Sequence, residues 1–220
     1  MIQVKMQDKG KTLTKAQTIE ALTLLENTYP NAKCALNHRN IFELLIAVVL
    51  SAQTTDKRVN VVSPSLFLEF PDAEALSRAD ISRLEELLKT LGMYRTKAKN
   101  IKNLALALSE KFDGAVPSNY DDLISLPGVG RKTANVVMSV GFDIPRIAVD
   151  THVFRVSNRM GLCDEDDVLK TEEALMTKIP KELWSRAHHL IIFHGRNICT
   201  ARSPKCDKCP VKELCISKSY

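Results

Sequence analysis

Ten residues, IFELLIAVVL from Ile41 to Leu50, constrain this chain more than any other stretch. Asn40 precedes them and Glu43 follows three positions later, the pattern of a capping box at a helix start. A helix that is apolar nearly all round has no face to offer water, so it must run through the middle of a core. It is far too short to cross a bilayer. The rest of the chain has to wrap it.

What wraps it is helical, since apolar residues recur at helical spacing and no strand alternation persists. Thr14 with Gln17 predicts a capping box before a helix whose Ala16, Ile19, Leu22 and Leu25 share one face. Helices are predicted over 56–70 and 81–91, the second stopped by Gly92. Thr96 is the predicted cap of the next, in which Ala98, Ile101, Leu104, Ala105 and Leu108 line up. Ser118 opens a short helix, another runs from Arg131 to Gly141, and Asp150 heads one through Arg159. The last long helix covers 181–199. The expected fold class is all-α, about ten helices with short connectors. FDIP with Pro145 is the candidate domain boundary. No exposed apolar stripe calls for a partner helix, which predicts a monomer.

A chain of 220 residues can bury one large core or two modest ones. Its N-terminal MIQVKMQDKGKTLTK carries no apolar signal core, so a soluble, cytoplasmic protein is expected, with no membrane partner. The net charge of +5 leans only mildly towards a polyanion. Distribution says more: from 199 to 220, Arg202, Lys205, Lys208, Lys212 and Lys218 face only Asp207 and Glu213. A local basic surface of this kind suits nucleic acid, although a solvated tail has the same composition.

The segment LPGVGRKTANVV, 126–137, is a short turn leading into a helix. Gly128 and Gly130 allow backbone conformations closed to other residues and remove side chains that block close approach. The amides they free, with the helix start that follows, make an anion site suited to backbone phosphates. Lys132 lies in the first helical turn, where the positive end of the dipole disfavours an ammonium ion. Partial desolvation and neighbouring Arg131 push the same way, towards a neutral amine that can attack an electrophilic carbon. A plain phosphate contact is the other reading. Eighteen residues on, Asp150 precedes Thr151 and His152 as a helix N-cap, and a capping carboxylate can still turn one oxygen to a cleft. His152 and Arg155 are candidate phosphate contacts.

Of six cysteines, Cys199, Cys206, Cys209 and Cys215 are spaced C-x6-C-x2-C-x5-C. Without an export signal this reads as a metal centre rather than a disulfide framework. Four thiolates serve zinc or a [4Fe–4S] cluster, and the single close pair tilts the choice towards iron–sulfur. Arg202 and Lys205, in the six-residue loop, would be held outward for DNA. Cys34 and Cys163 read as ordinary half-buried thiols.

The hairpin, the VDTH aspartate and the four-cysteine cluster together resemble the signature of the endonuclease III family, DNA glycosylases of the helix-hairpin-helix superfamily. The resemblance extends from FELLIAVVLSAQTTD through GMYRTKAKNI to the last cysteine. It implies two helical domains with double-stranded DNA in the cleft between them. One is a six-helix barrel over 33–144, its hairpin at about 126–131. The other is a four-helix domain of 1–32 with 145–220, carrying a [4Fe–4S] cluster. It also implies excision of oxidised pyrimidines followed by cleavage at the abasic site. Lys132 matches the family's nucleophile, Asp150 its catalytic carboxylate, and the four clustered cysteines its metal ligands. Gln53 matches the residue that fills the gap left by the flipped base. Met93 stands where relatives often have a leucine wedge, an apolar exchange of similar volume.

Three other readings stay open on sequence alone. A monofunctional adenine glycosylase of the same superfamily shares hairpin and cluster but generally lacks the hairpin lysine. A non-catalytic DNA-binding protein would use Lys132 on phosphate alone. A redox sensor would use the cluster for signalling.

Overall fold

The computed structural model describes residues 12–217, and every regular element among them is helical. In order these are α1 (Lys15–Thr28), α2 (Ile41–Leu50), α3 (Asp56–Glu69), α4 (Ala73–Ser77), α5 (Ile81–Leu88), α6 (Tyr94–Phe112), α7 (Tyr120–Ser125), α8 (Arg131–Gly141), α9 (Thr151–Met160), α10 (Val168–Lys178) and α11 (Trp184–Asn197). Short 3-10 turns occupy Lys181–Leu183 and Cys206–Lys208. Lys218 of the basic tail lies outside the described residues. Among those described, no helix is long and apolar enough to cross a membrane. The chain divides into two compact units, with boundaries between Lys33 and Cys34 and between Ile144 and Pro145.

In the unit from Cys34 to Ile144, every residue of α2 from Phe42 to Leu50 is buried, and α3, α6 and α8 pack around it. Six helices of six or more residues are joined by the five-residue α4. α6 contributes Ala98, Ile101, Leu104, Ala105 and Leu108 to the core, as its spacing predicts. The Asn40 carboxamide accepts from the Glu43 amide, but the Glu43 carboxylate turns away from the box. It takes the Arg39 amide at 2.7 Å and the Arg39 guanidinium at 2.6 Å. Two boundaries differ from expectation. α5 ends at Leu88, ahead of Gly92, and α6 begins at Tyr94, so Thr96 lies inside it. The residue at its N-cap is Met93, in the left-handed region at φ 55°, with no side-chain cap. α7 is capped by Asn119, which accepts from the Asp122 amide at 2.9 Å, rather than by Ser118. α3 also exposes Val61, Pro64 and Leu68 along one line, against the expectation of no apolar stripe.

The second unit is built on α1, α9, α10 and α11. The Thr14–Gln17 capping box forms, but α1 buries Thr18, Ala21, Leu22 and Leu25 and leaves Ala16 exposed. Arg186 of α11 ties down the end of α1, pairing with Glu26 at 2.5 Å and donating to the Tyr29 and Pro30 carbonyls. α11 crosses α9 closely: a Cβ on Gly195 would stand 2.9 Å from Val156 Cγ2. Cys34 is half-buried as expected, whereas Cys163 is fully buried and burial pushes its thiol up to about 11.

Burial, helped by Arg186 and Arg196, pushes His189 of α11 down to about 4. The native state therefore keeps this imidazole neutral at pH values where the unfolded chain, near 6.5, has taken up a proton. Stability is accordingly expected to fall as the pH drops from about 6.5 towards 4, by at most about 1.4 kcal/mol per pH unit from this residue. Urea midpoints of wild type and His189→Asn across that range measure it, and the variant's profile should be flatter.

Candidate functional site

The hairpin connects α7 to α8. Val129 donates its amide to the Leu126 carbonyl at 3.1 Å, and Gly128 sits at φ +78°, where an L side chain is strained. A Cβ there would also meet Asn100 Cβ at 3.4 Å and Val49 Cγ1 at 3.6 Å, so the turn lies directly against α6 and α2. Gly130 departs from expectation: at φ −99° its backbone is open to any residue, and nothing lies within 4 Å of an added Cβ. It is also the N-cap of α8, and it has no side chain to cap with. Among the described residues, eight of the eleven α-helices start with a capping side chain, and α8 does not. Its first turn therefore offers backbone amides, at the positive end of the helix, to an outside anion.

Two substitutions separate the glycines. Gly128→Ala is expected to destabilise the fold by about 1–2 kcal/mol through its left-handed backbone. Gly130→Ser supplies a good cap and should stabilise α8 by a few tenths of a kcal/mol. Its hydroxyl then competes with any outside anion for the first-turn amides, and DNA affinity is expected to fall by about tenfold. Thermal melts and DNA titrations read the two effects independently.

Lys132 and Arg131 open α8 and both are exposed. The partial desolvation expected for Lys132 is thus absent. The guanidinium carbon of neighbouring Arg131 stands 5.8 Å from the Tyr120 ring centroid. In the same unit Gln53 and Met93 occupy two turn tips, α2–α3 and α5–α6. Both are exposed, non-glycine and left-handed, at φ 53° and 55°. Left-handed conformations at such residues cost about 1–3 kcal/mol and cluster where function demands them.

Asp150 caps α9 in the other unit: its Oδ1 accepts from the His152 and Val153 amides, both at 2.8 Å. Oδ2 makes no hydrogen bond among the described residues, so one oxygen builds the helix and the other is available. His152 is part-buried, with Nδ1 3.3 Å from Arg155 Nη2. Arg155 is engaged within the protein. Its guanidinium donates to the Gly195 carbonyl at 2.9 Å and the Cys199 carbonyl at 3.0 Å. Arg159, one turn on, donates to the Thr200 and Ala201 carbonyls at 2.8 and 2.9 Å. These two arginines hold the start of the cysteine loop, a role the sequence signals only as charge on one helix face. Arg202 and Lys205, beyond them in the loop, are exposed.

The four clustered cysteines line one recess of ≈ 350 Å³, open mouth included, together with Arg159, Met160 and His194. Among the described residues, no three His, Cys, Asp or Glu side chains are gathered tightly enough for a single metal ion. Four thiols around one recess are a donor set that fits a [4Fe–4S] cluster. Burial pushes the Cys215 thiol up to about 11, with charge on Cys209, Cys199 and Cys206 adding to it. That mutual repulsion is relieved by a positively charged core. Burial holds His194, missed by the sequence reading, down at about 4 and so neutral. Its Nδ1 is 3.2 Å from the Tyr29 hydroxyl and its Nε2 3.6 Å from Cys209 Sγ. A ligand thiolate only accepts, so Nε2 carries the proton and donates to sulfur, while Tyr29 donates to Nδ1.

Residues 46–181 match the family model of HhH-GPD superfamily base excision DNA repair proteins, and residues 199–215 that of the iron–sulfur binding domain of endonuclease III. The latter spans all four clustered cysteines and supports a [4Fe–4S] cluster as this chain's cofactor. Endonuclease III of Bacillus subtilis (strain 168) is 50% identical over 195 residues, 88% of this chain and 89% of the relative. That of Synechocystis sp. is 45% identical over 204 residues, 92% of this chain and 93% of the relative. The structure of a trapped endonuclease III–DNA covalent intermediate superposes with a TM-score of 0.90 at 50% identity, covering 94% of this chain and 97% of that one. The chain belongs to the endonuclease III family of helix-hairpin-helix base excision DNA repair proteins.

Proposed function

We propose that this bifunctional DNA glycosylase and AP lyase of base excision repair removes oxidised pyrimidines from double-stranded DNA with Lys132 as nucleophile. Asp150 serves as its catalytic carboxylate, and the protein acts as a monomer on the DNA of the cytoplasmic nucleoid. The observation that carries the reading is the uncapped start of α8, which offers amides to a phosphate and sets an amine in the same helical turn.

A base within the duplex is out of reach, so the nucleotide must be extruded, and a poorly stacked damaged base costs least. Gln53 and Met93 fill the vacated stack. The hairpin amides and Arg131 hold the backbone, with His152, Arg202 and Lys205 also on phosphates. The Lys132 amine attacks C1′, the C1′–N bond breaks and the base departs with a proton. The free oxygen of Asp150, Oδ2, stabilises positive charge on the sugar or accepts the lysine proton. The sugar opens to an imine on Lys132, the imine acidifies C2′, and loss of the C2′ proton expels the 3′ phosphate by β-elimination. Cys199, Cys206, Cys209 and Cys215 would hold the [4Fe–4S] cluster, which when bound would cross-link the C-terminal loop.

A duplex with one oxidised pyrimidine, compared with the same duplex undamaged, tests the substrate class. Free base and a strand cut at that position are expected from the first alone. Cleavage only of preformed abasic sites would reduce the activity to the lyase and sink the substrate assignment.

A further inference from the structure

Lys97 is buried to 4% in the first turns of α6, and burial lowers its ammonium below the ordinary lysine value. No carboxylate pairs with it among the described residues. Its Nζ donates to the Thr54 hydroxyl, across 43 residues of sequence. A buried ammonium answered by one hydroxyl is a poor way to stabilise a core, since an apolar residue of similar volume avoids the desolvation cost. Its partners show what it achieves. Thr54 belongs to the turn after α2, adjoining Gln53, and donates its amide to the Ser51 carbonyl at 3.1 Å. The Lys97 amide donates to the Met93 carbonyl at 3.0 Å. One residue therefore binds both left-handed turns at once, by its backbone and by its side chain. One helical turn further, Asn100 supports Gly128 of the hairpin, so positions 93, 97 and 100 of one helix start meet three turns.

We propose that Lys97 is a positioning residue for nucleotide extrusion, locking the Gln53 turn to the Met93 turn so that both side chains enter the duplex as one rigid wedge. This rests on the wedge reading of Gln53 and Met93 given above. Opening a stack needs both tips at fixed separation, and a small misplacement of a positioned group costs heavily in rate. Acting on an abasic site in a single strand needs no wedge, because no stack has to be opened.

The test is single-turnover kinetics of Lys97→Met and Thr54→Val on two substrates: a duplex with a paired oxidised pyrimidine and a single strand with an abasic site. Lys97→Met is expected to slow base release from the duplex by about 10- to 100-fold. Cleavage of the single-stranded site should stay within about twofold of wild type. Thr54→Val should show the same split, and the double variant no further loss, because both remove one link. Equal slowing on both substrates would make Lys97 merely structural, and unchanged excision would remove its role. Gln53→Ala in the wild-type background separates the two levels. If it leaves excision untouched the wedge reading fails, whereas a slow Gln53→Ala beside a normal Lys97→Met overturns the positioning role alone.

Discussion

Lys132→Gln is expected to abolish borohydride trapping on a duplex carrying one abasic site and to lower single-turnover base release by at least about 10⁴-fold. Glutamine keeps the length and polarity of the side chain but has no nucleophilic nitrogen, so an imine cannot form. Lys132 is exposed at the start of α8 and supports no core residue, so the fold should be intact. The lost amine is assigned to the sugar rather than to a phosphate, so affinity for undamaged duplex should weaken by no more than about tenfold. Asp150→Asn gives the complementary result. Asparagine is as good an N-cap as aspartate, so the bonds to the His152 and Val153 amides, and with them α9, should survive. Only the charge goes, and with it about 10²- to 10⁴-fold in rate. Far-UV circular dichroism on both variants guards the comparison. An adduct still trapped by Lys132→Gln would move the nucleophile to another amine. A full-rate Asp150→Asn would reduce the carboxylate to a cap.

How much of this was readable in the sequence depends on where each residue finds its partner. Asp150 and Thr14 cap helices through amides two or three positions away, so their local pattern sufficed. The same rule misplaced the start of α6. Its N-cap is Met93 in a left-handed conformation that leaves no side-chain signature, and Thr96 supplied a false one. Gly128 does require positive φ, whereas Gly130 resembles it in sequence but serves as an empty cap. α1 shows a subtler limit: Thr18 and Ala21 lie inside and Ala16 outside, because the buried face is set by what packs against it rather than by the most apolar stripe.

Long-range partners defeated the sequence reading altogether. Arg155 reads as a candidate phosphate contact, and nothing in the local pattern marks Arg159, yet both donate to carbonyls 40 to 44 positions away. Lys97 gave no sign of burial, since lysine is almost never an interior residue and its hydroxyl partner is 43 positions distant. Tyr29 and Cys209, the two partners of His194, are similarly scattered, 165 and 15 positions from it along the chain. Motifs with fixed spacing announced the chemistry, while the groups that orient it came only with the fold.

That division bears on what the cluster is for. The loop from Cys199 is held at its start by protein contacts: Arg155 on the Cys199 carbonyl, Arg159 on the Thr200 and Ala201 carbonyls, and the Lys205 amide on the Ile198 carbonyl. Between Lys205 and Cys215 the backbone bonds are short-range turns, such as Cys209 to Cys206 and Leu214 to Val211, and the far end is pinned again by the Ile216 and Ser217 amides on the Met160 and Arg159 carbonyls. Cys206→Ala is therefore expected to eliminate the visible absorbance of the cluster while leaving helical content nearly unchanged. Cys206 adjoins Lys205, so losing its bond to the cluster loosens the C-terminal end of the loop that carries Arg202 and Lys205, and DNA affinity should drop by about tenfold or more at moderate salt. The plot of log K against log salt should become shallower by about 0.9 for each phosphate that the protein no longer neutralises. Arg202→Ala with Lys205→Ala supplies the comparison, because it removes the two charges and keeps the metal. If the cluster serves to present them, the two variants flatten the salt dependence equally, and the charge variant cleaves saturating DNA at nearly the wild-type rate. A Cys206→Ala protein whose salt slope equals wild type would show that the basic loop does not touch DNA. A charge variant that cleaves slowly when saturated would place these side chains in the chemistry rather than in the grip.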